Sequence, residues 1–317
     1  MHTGLVVLLF AVGLLLIIKG GDWFVDSAVF IANLTGIPKF IIGATIVSVA
    51  TTLPELTVSV TGVLDGELGL AVGNAVGSVT ANIGLIMGIS IVCIPAAIKR
   101  NQFRLKGTIM VLAALLLWLL CKGGSLHMLP SFALIALLAI YIWDNIRDAK
   151  NDMGMDEREQ VDKKHLPKQL VMFVIGIAAI VVGSKLLIKY GSELALLLGV
   201  PSAIIGVTMV AIGTSLPELI TTLTAIRKKE SSMSIGNIIG ANIIDLAMIL
   251  PICSIVSDGK LTIAEQSYVL DMPVCFGMTL LAVVPPLIKG RMYRWQGILM
   301  LLAYAAYVVV LVTKFGV

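Results

Sequence analysis

Charged residues are scarce in this chain of 317 residues, where Asp, Glu, Lys and Arg together make up only 13%. A soluble globular domain carries about 25% charged residues. Hydrophobic residues make up 58% of the chain and its mean hydropathy is +1.01. The scarcity of charge therefore excludes a soluble domain and indicates an integral membrane protein with little mass outside the bilayer. The net charge of +4 is also too small to indicate a nucleic-acid partner.

The chain also lacks the common patterns of metal, redox and hydrolytic chemistry. Its four cysteines lie far apart in or beside apolar runs and form no CxxC or Cys/His pattern, so we expect small core residues. No Ser/His motif, zinc motif or G-x-G-D pattern of an intramembrane aspartyl protease appears, so we expect no enzymatic activity and no bound cofactor. No basic residues precede the first apolar run, so this run is predicted to be a membrane span and not a cleaved signal peptide.

Apolar stretches of about 20 residues, the length that crosses a bilayer, recur ten times. The sequence therefore predicts an all-α membrane protein with ten transmembrane helices. The predicted spans are 3–33, 38–62, 68–97, 105–121, 127–146, 168–197, 201–225, 232–256, 267–288 and 295–313.

The distribution of basic residues predicts the orientation of these spans. If the N-terminus lies outside, most of the 23 Lys and Arg residues fall in the inner loops, including the group Lys99, Arg100, Arg104 and Lys106. Because inner loops of membrane proteins are enriched in Lys and Arg, both termini are predicted to lie outside. We expect a multi-pass protein of the cell (inner) membrane.

One polar segment, 147–167, divides the chain into two halves. The halves are an N-terminal five-helix repeat (1–146) and a C-terminal five-helix repeat (168–317), joined by a solvated cytoplasmic linker. The linker has acidic residues but lacks the ligand spacing and the closing Glu of an EF-hand loop. Because five is odd, equivalent spans of the two halves cross the membrane in opposite directions, which predicts inverted repeats.

Internal repetition supports this division. The sequence A-T-T-L-P-E from Ala50 to Glu55 returns as G-T-S-L-P-E from Gly213 to Glu218, 163 positions later, and neighbouring residues repeat at the same offset without a gap. Each copy places a proline and a carboxylate inside an apolar stretch, where an ionisable group is costly unless it has a function. Inverted repeats with interrupted helices are typical of secondary transporters that work by alternating access.

The polar residues of four spans form the candidate site. Thr51 and Glu55 share one helix face, and Pro54 frees a nearby carbonyl from its helical hydrogen bond. The seventh span repeats the pattern with Thr214, Ser215, Pro217 and Glu218. Polar stripes with a spacing of four residues follow in the third and eighth spans: Asn74, Ser78 and Asn82, and Asn237, Ala241 and Asp245.

Carboxylates, amides, hydroxyls and carbonyls are hard ligands, which suit Ca²⁺, Na⁺ or Mg²⁺ better than Zn²⁺ or Cu⁺. The three acids Glu55, Glu218 and Asp245 carry up to three negative charges, which one Ca²⁺ or a few Na⁺ would neutralise in turn. Competition for one set of oxygens makes exchange obligatory. For Asn74 and Asn237 two interpretations stay open, direct ligation of an ion and stabilisation of the helix kinks.

These motifs resemble the α-repeats of the cation/calcium exchanger superfamily, in its prokaryotic sodium/calcium exchanger-like branch. The matching stretches are G-A-T-I-V-S-V-A-T-T-L-P-E-L (43–56), G-N-A-V-G-S-V-T-A-N (73–82), G-V-T-M-V-A-I-G-T-S-L-P-E-L (206–219) and G-N-I-I-G-A-N-I-I-D (236–245). The resemblance implies export of Ca²⁺ driven by entry of Na⁺, with the first and sixth spans sliding as gates across the other eight.

The resemblance also implies roles for individual residues. Ca²⁺ would bind Glu55 and Glu218 with the carbonyls of Thr51 and Thr214. The sodium ligands would be Thr52, Ser78, Ser215 and the carbonyls of Ala50 and Gly213. Asn82 and Asp245 would line the centre of the site.

The sequence departs from the family pattern at Ala50 and Thr52, where Gly and Ser are usual, and at Ala241, where Ser is common. Ala241 offers no side-chain oxygen, so the usual ratio of three Na⁺ per Ca²⁺ is not carried over to this chain. The alternatives are a H⁺/Ca²⁺ exchanger, an exchanger of Mg²⁺ or Mn²⁺, and a channel, although a continuous pore does not need inverted interrupted repeats. We expect Ca²⁺ and Na⁺, or H⁺, as substrates and the lipid bilayer as the surroundings of a functional monomer.

Overall fold

A computed structural model describes residues 3–95, 100–151, 162–197 and 215–315, and these residues fold into ten helices and two short strands. The helices of the first half are α1 (Thr3–Thr35), α2 (Lys39–Leu64), α3 (Leu68–Cys93), α4 (Arg100–Leu120) and α5 (Met128–Asn151). The helices of the second half are α6 (Leu166–Leu197), α7 (Leu216–Arg227), α8 (Ser231–Val256), α9 (Ser267–Lys289) and α10 (Arg294–Phe315). The strands are β1 (Ser125–His127) and β2 (Lys260–Thr262).

The all-α membrane architecture predicted from the sequence is confirmed. Within the described ranges, nine helices are long and apolar enough to cross a bilayer. The remaining predicted span, 201–225, is described only in its second part, as α7, and its first part lies outside the described residues. The fourth span begins five residues earlier than predicted, because α4 extends back to Arg100.

The packing of α1 on α6 supports the inverted relation of the two halves. A methyl group on Gly13 would lie 3.0 Å from the carbonyl oxygen of Gly183, and one on Gly20 would lie 2.8 Å from the carbonyl oxygen of Gly176. Residue numbers rise along α1 while they fall along α6, so the two helices are antiparallel. Gly176 and Gly183 stand 163 positions after Gly13 and Gly20, so repeat-related glycines meet in a crossing with approximate two-fold symmetry.

Two interruptions of the α-helical pattern stand at repeat-related positions. A π-helical segment begins at Asn82 in α3 (Asn82–Met87), and another begins at the equivalent Asp245 in α8 (Asp245–Ile249). A π-helical turn inserts an extra residue, which changes the direction of the following side chains and often marks a functional site. The irregular turns therefore lie at two of the residues that the sequence pattern singled out.

Small residues bring α8 into direct contact with α2. A methyl group on Gly236 would overlap the carbonyl oxygen of Phe40, and one on Gly240 would lie 2.6 Å from the carbonyl oxygen of Ala44. Glycine permits this approach because it places no side chain between the two backbones. The helices that carry the candidate residues of both halves are thereby held against each other.

The two strands were not predicted from the sequence. β1 connects α4 to α5, β2 connects α8 to α9, and they pair antiparallel with Ser125 opposite Thr262. Runs of three residues are too short to leave a periodic signal. The pairing joins a loop of the first half to a loop of the second half at one end of the bundle.

Helices cover part of the predicted linker. α5 continues through the first five residues of 147–167 and ends at Asn151, and a short 3₁₀ turn (Lys163–His165) precedes α6. The side chain of Asp162 accepts a hydrogen bond from the backbone N–H of Lys164 at 3.0 Å. The division of the chain into two units at this segment stays a prediction.

The assignment of Lys106 to an inner loop was wrong. Lys106 lies within α4 with none of its surface exposed, and its ammonium group contacts carboxylate oxygens of Asp144 at 2.7 Å and Asp148 at 2.5 Å. A buried ammonium group needs such partners because burial without them is costly. Lys106 therefore joins α4 to α5 and says nothing about the orientation of the chain.

Candidate functional site

The first part of the site lies on α2, around Pro54 in the middle of the helix. Glu55 and Thr52 are each 1% exposed and Thr51 is fully buried. Pro54 has no N–H, so the carbonyl oxygen of Ala50 has no helical donor four residues later. A carboxylate, hydroxyl groups and a free carbonyl oxygen thus occur within six consecutive residues.

The second part lies at the start of α7, whose N-cap residue is Ser215, in the other half of the chain. Glu218 is 1% exposed and Ser215 is 3% exposed, and the hydroxyl group of Ser215 has no hydrogen-bond partner in the described ranges. These two residues are the repeat mates of Glu55 and Thr52. Two other predicted site residues, Gly213 and Thr214, lie outside the described residues.

The third part consists of the polar stripes on α3 and α8. Ser78 and Asn82 on α3 are 3% and 1% exposed, and Asp245 on α8 is fully buried. Asn82 and Asp245 begin the two π-helical segments. Ala241, the repeat mate of Ser78, is also buried and contributes only a methyl group.

Glu55, Glu218 and Asp245 form a group of interacting acids. Glu55 lies near enough to Glu218 and Asp245 for their negative charges to repel its own. None of their six carboxylate oxygens has a hydrogen-bond partner among the described residues. Burying several carboxylates together without partners is strongly unfavourable. Cations or protons must therefore compensate these charges in the working protein.

Side chains other than acids must complete the coordination of a bound cation. In the part of the chain that the structure describes, no three His, Cys, Asp or Glu side chains are arranged as a metal site by themselves. Hydroxyl, amide and carbonyl oxygens surround the acids, and Ca²⁺ takes about six to eight oxygen ligands of these kinds. The mixed oxygen set fits a hard cation that is bound and released, and it offers no soft ligand for zinc or copper.

Asn242 on α8 is a residue of the site that the sequence analysis missed. Its Oδ1 atom accepts a hydrogen bond of 3.1 Å from Nδ2 of Asn82, and its own Nδ2 donates to Sδ of Met110 at 3.6 Å. The first bond orients the Asn82 amide and leaves Oδ1 of Asn82 without a partner in the described ranges. Asn242 thereby prepares an acceptor oxygen beside the acids. Its position three residues before Asp245 in an apolar run was the available signal.

The structure also bears on the two asparagines whose roles stayed open. Nδ2 of Asn74 donates to the backbone oxygen of Glu55 at 3.1 Å and to the hydroxyl oxygen of Ser59 at 2.9 Å. Oδ1 of Asn237 accepts a hydrogen bond of 3.3 Å from the hydroxyl group of Thr51. Both amides therefore contact α2, and their geometry favours stabilisation of the interrupted helix.

Comparisons with known proteins identify the relatives of this chain. The sodium/calcium exchanger protein family matches residues 5–146 and 168–313, two stretches that leave out the polar segment between them. The sodium/calcium exchanger MaX1 of Methanosarcina acetivorans is 29% identical over 96% of this chain and 97% of its own length. The putative antiporter CaxA of Alkalimonas amylolytica is 32% identical over 93% of this chain and 95% of its own length.

Solved structures of the sodium-calcium exchanger NCX_Mj share the fold. One of them, from a protein soaked with Na⁺ and Sr²⁺, superimposes with a TM-score of 0.84 and 29% sequence identity. The match covers 97% of this chain and 99% of that one. The fold is thus shared over nearly the whole length of both chains.

Proposed function

The chain belongs to the sodium/calcium exchanger protein family, and from this membership and its site we propose that it exchanges Ca²⁺ for Na⁺ by alternating access. The observation that carries the proposal is the group of three buried acids on α2, α7 and α8. Their carboxylate oxygens have no partners in the described ranges and come from both inverted repeats. A site of this kind needs cations and receives ligands from two halves that face opposite ways.

We propose the following division of roles among the oxygens. Glu55 and Glu218 bind Ca²⁺ together with the carbonyl oxygens of Thr51 and Thr214. Asp245 and Asn82 line the centre, where Asn242 keeps the Asn82 oxygen available. The sodium ligands are the hydroxyl groups of Thr52, Ser78 and Ser215 and the carbonyl oxygens of Ala50 and Gly213.

Competition for the acids explains why exchange is obligatory. One Ca²⁺ neutralises two of the three negative charges, and a few Na⁺ do the same, so occupation by one ion type removes the attraction for the other. An empty site keeps three interacting buried carboxylates, which makes the transition of the unloaded protein costly. Transport in one direction therefore requires a returning cation.

The function is tested by uptake of radiolabelled Ca²⁺ into proteoliposomes with Na⁺, K⁺ and H⁺ gradients imposed one at a time. We expect uptake to follow an outward Na⁺ gradient and to stop when the gradient is dissipated by a sodium ionophore. Liposomes without protein are the control. Uptake that ignores Na⁺ and follows a pH gradient would contradict the proposal and would favour a H⁺/Ca²⁺ exchanger, because a protonated Glu also neutralises the site.

The missing hydroxyl group at position 241 leads to a second prediction. We expect Ala241→Ser to raise the apparent affinity for Na⁺, because it adds the oxygen that mirrors Ser78 on the opposite helix. Ser78→Ala is the matched variant and should lower Na⁺ affinity. Sodium-dependent Ca²⁺ efflux, measured over a range of Na⁺ concentrations, checks both. An unchanged sodium dependence in both variants would show that neither position contributes a ligand.

The location of the protein is also part of the proposal. We propose that the chain lies in the cell membrane with both termini outside and works as a monomer. The basic loops predicted to lie inside support this orientation, even without Lys106. Each half supplies ligands to the one site, so a second copy is not needed to complete it.

A further inference from the structure

Two turns of the protein have the same backbone structure, one between α2 and α3 and one between α7 and α8. Three backbone hydrogen bonds of the first turn recur in the second at the offset of 163 positions. Their lengths are 2.9, 3.1 and 2.7 Å in the first turn and 3.0, 2.9 and 2.7 Å in the second. Gly66 in the first turn and Lys229 in the second occupy equivalent positions, and both have positive φ, 85° and 63°. Asp65 is therefore the true structural counterpart of Lys228.

Ion pairs hold α1 against the second of these turns. The ammonium group of Lys228 contacts carboxylate oxygens of Asp26 at 2.5 Å and Asp22 at 3.7 Å, and Arg227 also pairs with Asp22. Beside these pairs, Gly21 of α1 lies against the side chain of Thr224, where a methyl group would lie 2.7 Å from the hydroxyl oxygen. The gate helix α1 is thus closed on the end of α7.

The equivalent positions of the other half carry the opposite charges. Lys185 and Lys189 on α6 are the repeat mates of Asp22 and Asp26, and Asp65 is the repeat mate of Lys228. The sign is reversed at all three positions, so the attraction between the gate helix and the turn is preserved. Chance would not be expected to invert three charges while keeping every pair complementary.

This second set of charges is separated in the structure. Asp65, Lys185 and Lys189 are all exposed. Within the described ranges no ion pair joins any of them to an opposite charge, and Lys189 lies 5.4 Å from the ring centre of Tyr190. Because the repeats are inverted, this open set lies at the opposite end of the bundle from the closed one.

We propose that these charges form two alternating latches, which hold the two end states of the exchanger. The first latch, Asp22 and Asp26 with Arg227 and Lys228, is closed in the conformation described. The second latch, Lys185 and Lys189 with Asp65, closes when the gate helices shift and the site opens to the other side. The proposal rests on the alternating access proposed above. It adds residues that hold the gates and do not contact the transported ions.

The latches are unequal, which predicts a preferred state. The position equivalent to Arg227 is Leu64, so the second latch has one charged partner fewer. Closing the first latch brings together two negative and two positive charges, whereas closing the second brings together two positive charges and one negative charge. In the absence of ions, the first latch therefore favours the conformation described here.

Cysteine cross-linking tests the second latch. In a Cys93→Ala background, which removes the exposed native cysteine, we expect Asp65→Cys with Lys185→Cys to be joined by a short bifunctional maleimide. We expect the cross-link to arrest transport. Asp65→Cys with Lys168→Cys is the matched control, because Lys168 lies at the other end of α6 and should not be joined. Weakening the first latch with Lys228→Ala, which leaves the pair of Arg227 with Asp22 in place, should raise the yield at the second by up to about fivefold, the upper range for an exposed ion pair.

Failure of the latch and failure of the proposed function are distinguishable, because cross-linking is scored on the protein itself. The test variant must transport normally before the reagent is added. If its cross-linking yield is then no higher than that of the control pair, the latch is overturned. Cross-linking as expected in a protein that moves no Ca²⁺ would instead contradict the proposed function. If the cysteine variants do not fold, variants in which the charges of the second latch are swapped replace them. Asp65→Lys should slow turnover, adding Lys185→Asp and Lys189→Asp should restore it, and a lack of restoration would also overturn the latch.

Discussion

Replacing Glu55 or Glu218 by Gln is expected to abolish exchange while leaving a folded protein. Gln keeps the size of the side chain but removes the negative charge and the bidentate carboxylate. A lost hydrogen bond to a charged group costs about 1.5 to 3 kcal/mol, which corresponds to about a 10- to 140-fold loss of affinity. Sodium-dependent uptake of Ca²⁺ at low Ca²⁺ concentration should fall to the level of protein-free liposomes in either variant.

A stability measurement separates a lost ligand from a lost fold. When no cation is bound, the negative charges of Glu218 and Asp245 repel that of Glu55, so removing the charge of Glu55 relieves that repulsion. We therefore expect Glu55→Gln to unfold at a higher temperature than the parent protein in ion-free detergent, with a smaller gain on adding Ca²⁺. Glu265→Gln, at an exposed acid, is the matched control and should match the parent in both assays. Normal transport by both site variants would disprove the assignment of the site.

The second large effect is expected at Lys106, which is not among the proposed ligands of the transported ions. Lys106→Met leaves the buried carboxylates of Asp144 and Asp148 without their cation. Breaking a buried ion pair by removing one partner costs about 3 to 5 kcal/mol. We expect this variant to unfold at a markedly lower temperature in detergent and to give a low yield of monodisperse protein.

Two further variants define the cause of that loss. Lys168→Met removes an exposed lysine and should leave the unfolding temperature close to that of the parent. Lys106→Met combined with Asp144→Asn and Asp148→Asn should recover much of the stability, because no uncompensated charge remains buried. A stable Lys106→Met protein would show that the three groups do not hold α4 and α5 together.

Much of the fold could be predicted because each helix that crosses a bilayer needs about 20 apolar residues. The apolar stretches located nine of the spans to within about five residues of the observed helix ends, and the repeat of L-P-E at a fixed offset predicted that Glu55 and Glu218 share one site. Asp245 could be added because it follows its neighbours at a spacing of four residues. These features are encoded by composition and by local periodicity.

The features that were missed depend on contacts between distant residues. Asn242 has no polar repeat mate, since the equivalent residue is Val79, so the repeat gave no reason to select it. Lys106 follows Arg104 and has the appearance of a loop residue, while its partners stand 38 and 42 positions later. Pairing of this kind follows from how helices pack and leaves no pattern in the local sequence.

The crossing of α1 and α6 has a consequence for leakage. The backbones lie close together at both pairs of glycines, and the side chains of Ile17, Ala179 and Leu186 pack around them. We therefore expect α1 and α6 to move together, so that a shift of one requires a shift of the other. Opening the site to both sides of the membrane at once would require the two helices to separate at this crossing. We therefore expect larger residues at these four glycines to disturb the coupled movement of the two helices and to increase leakage of ions.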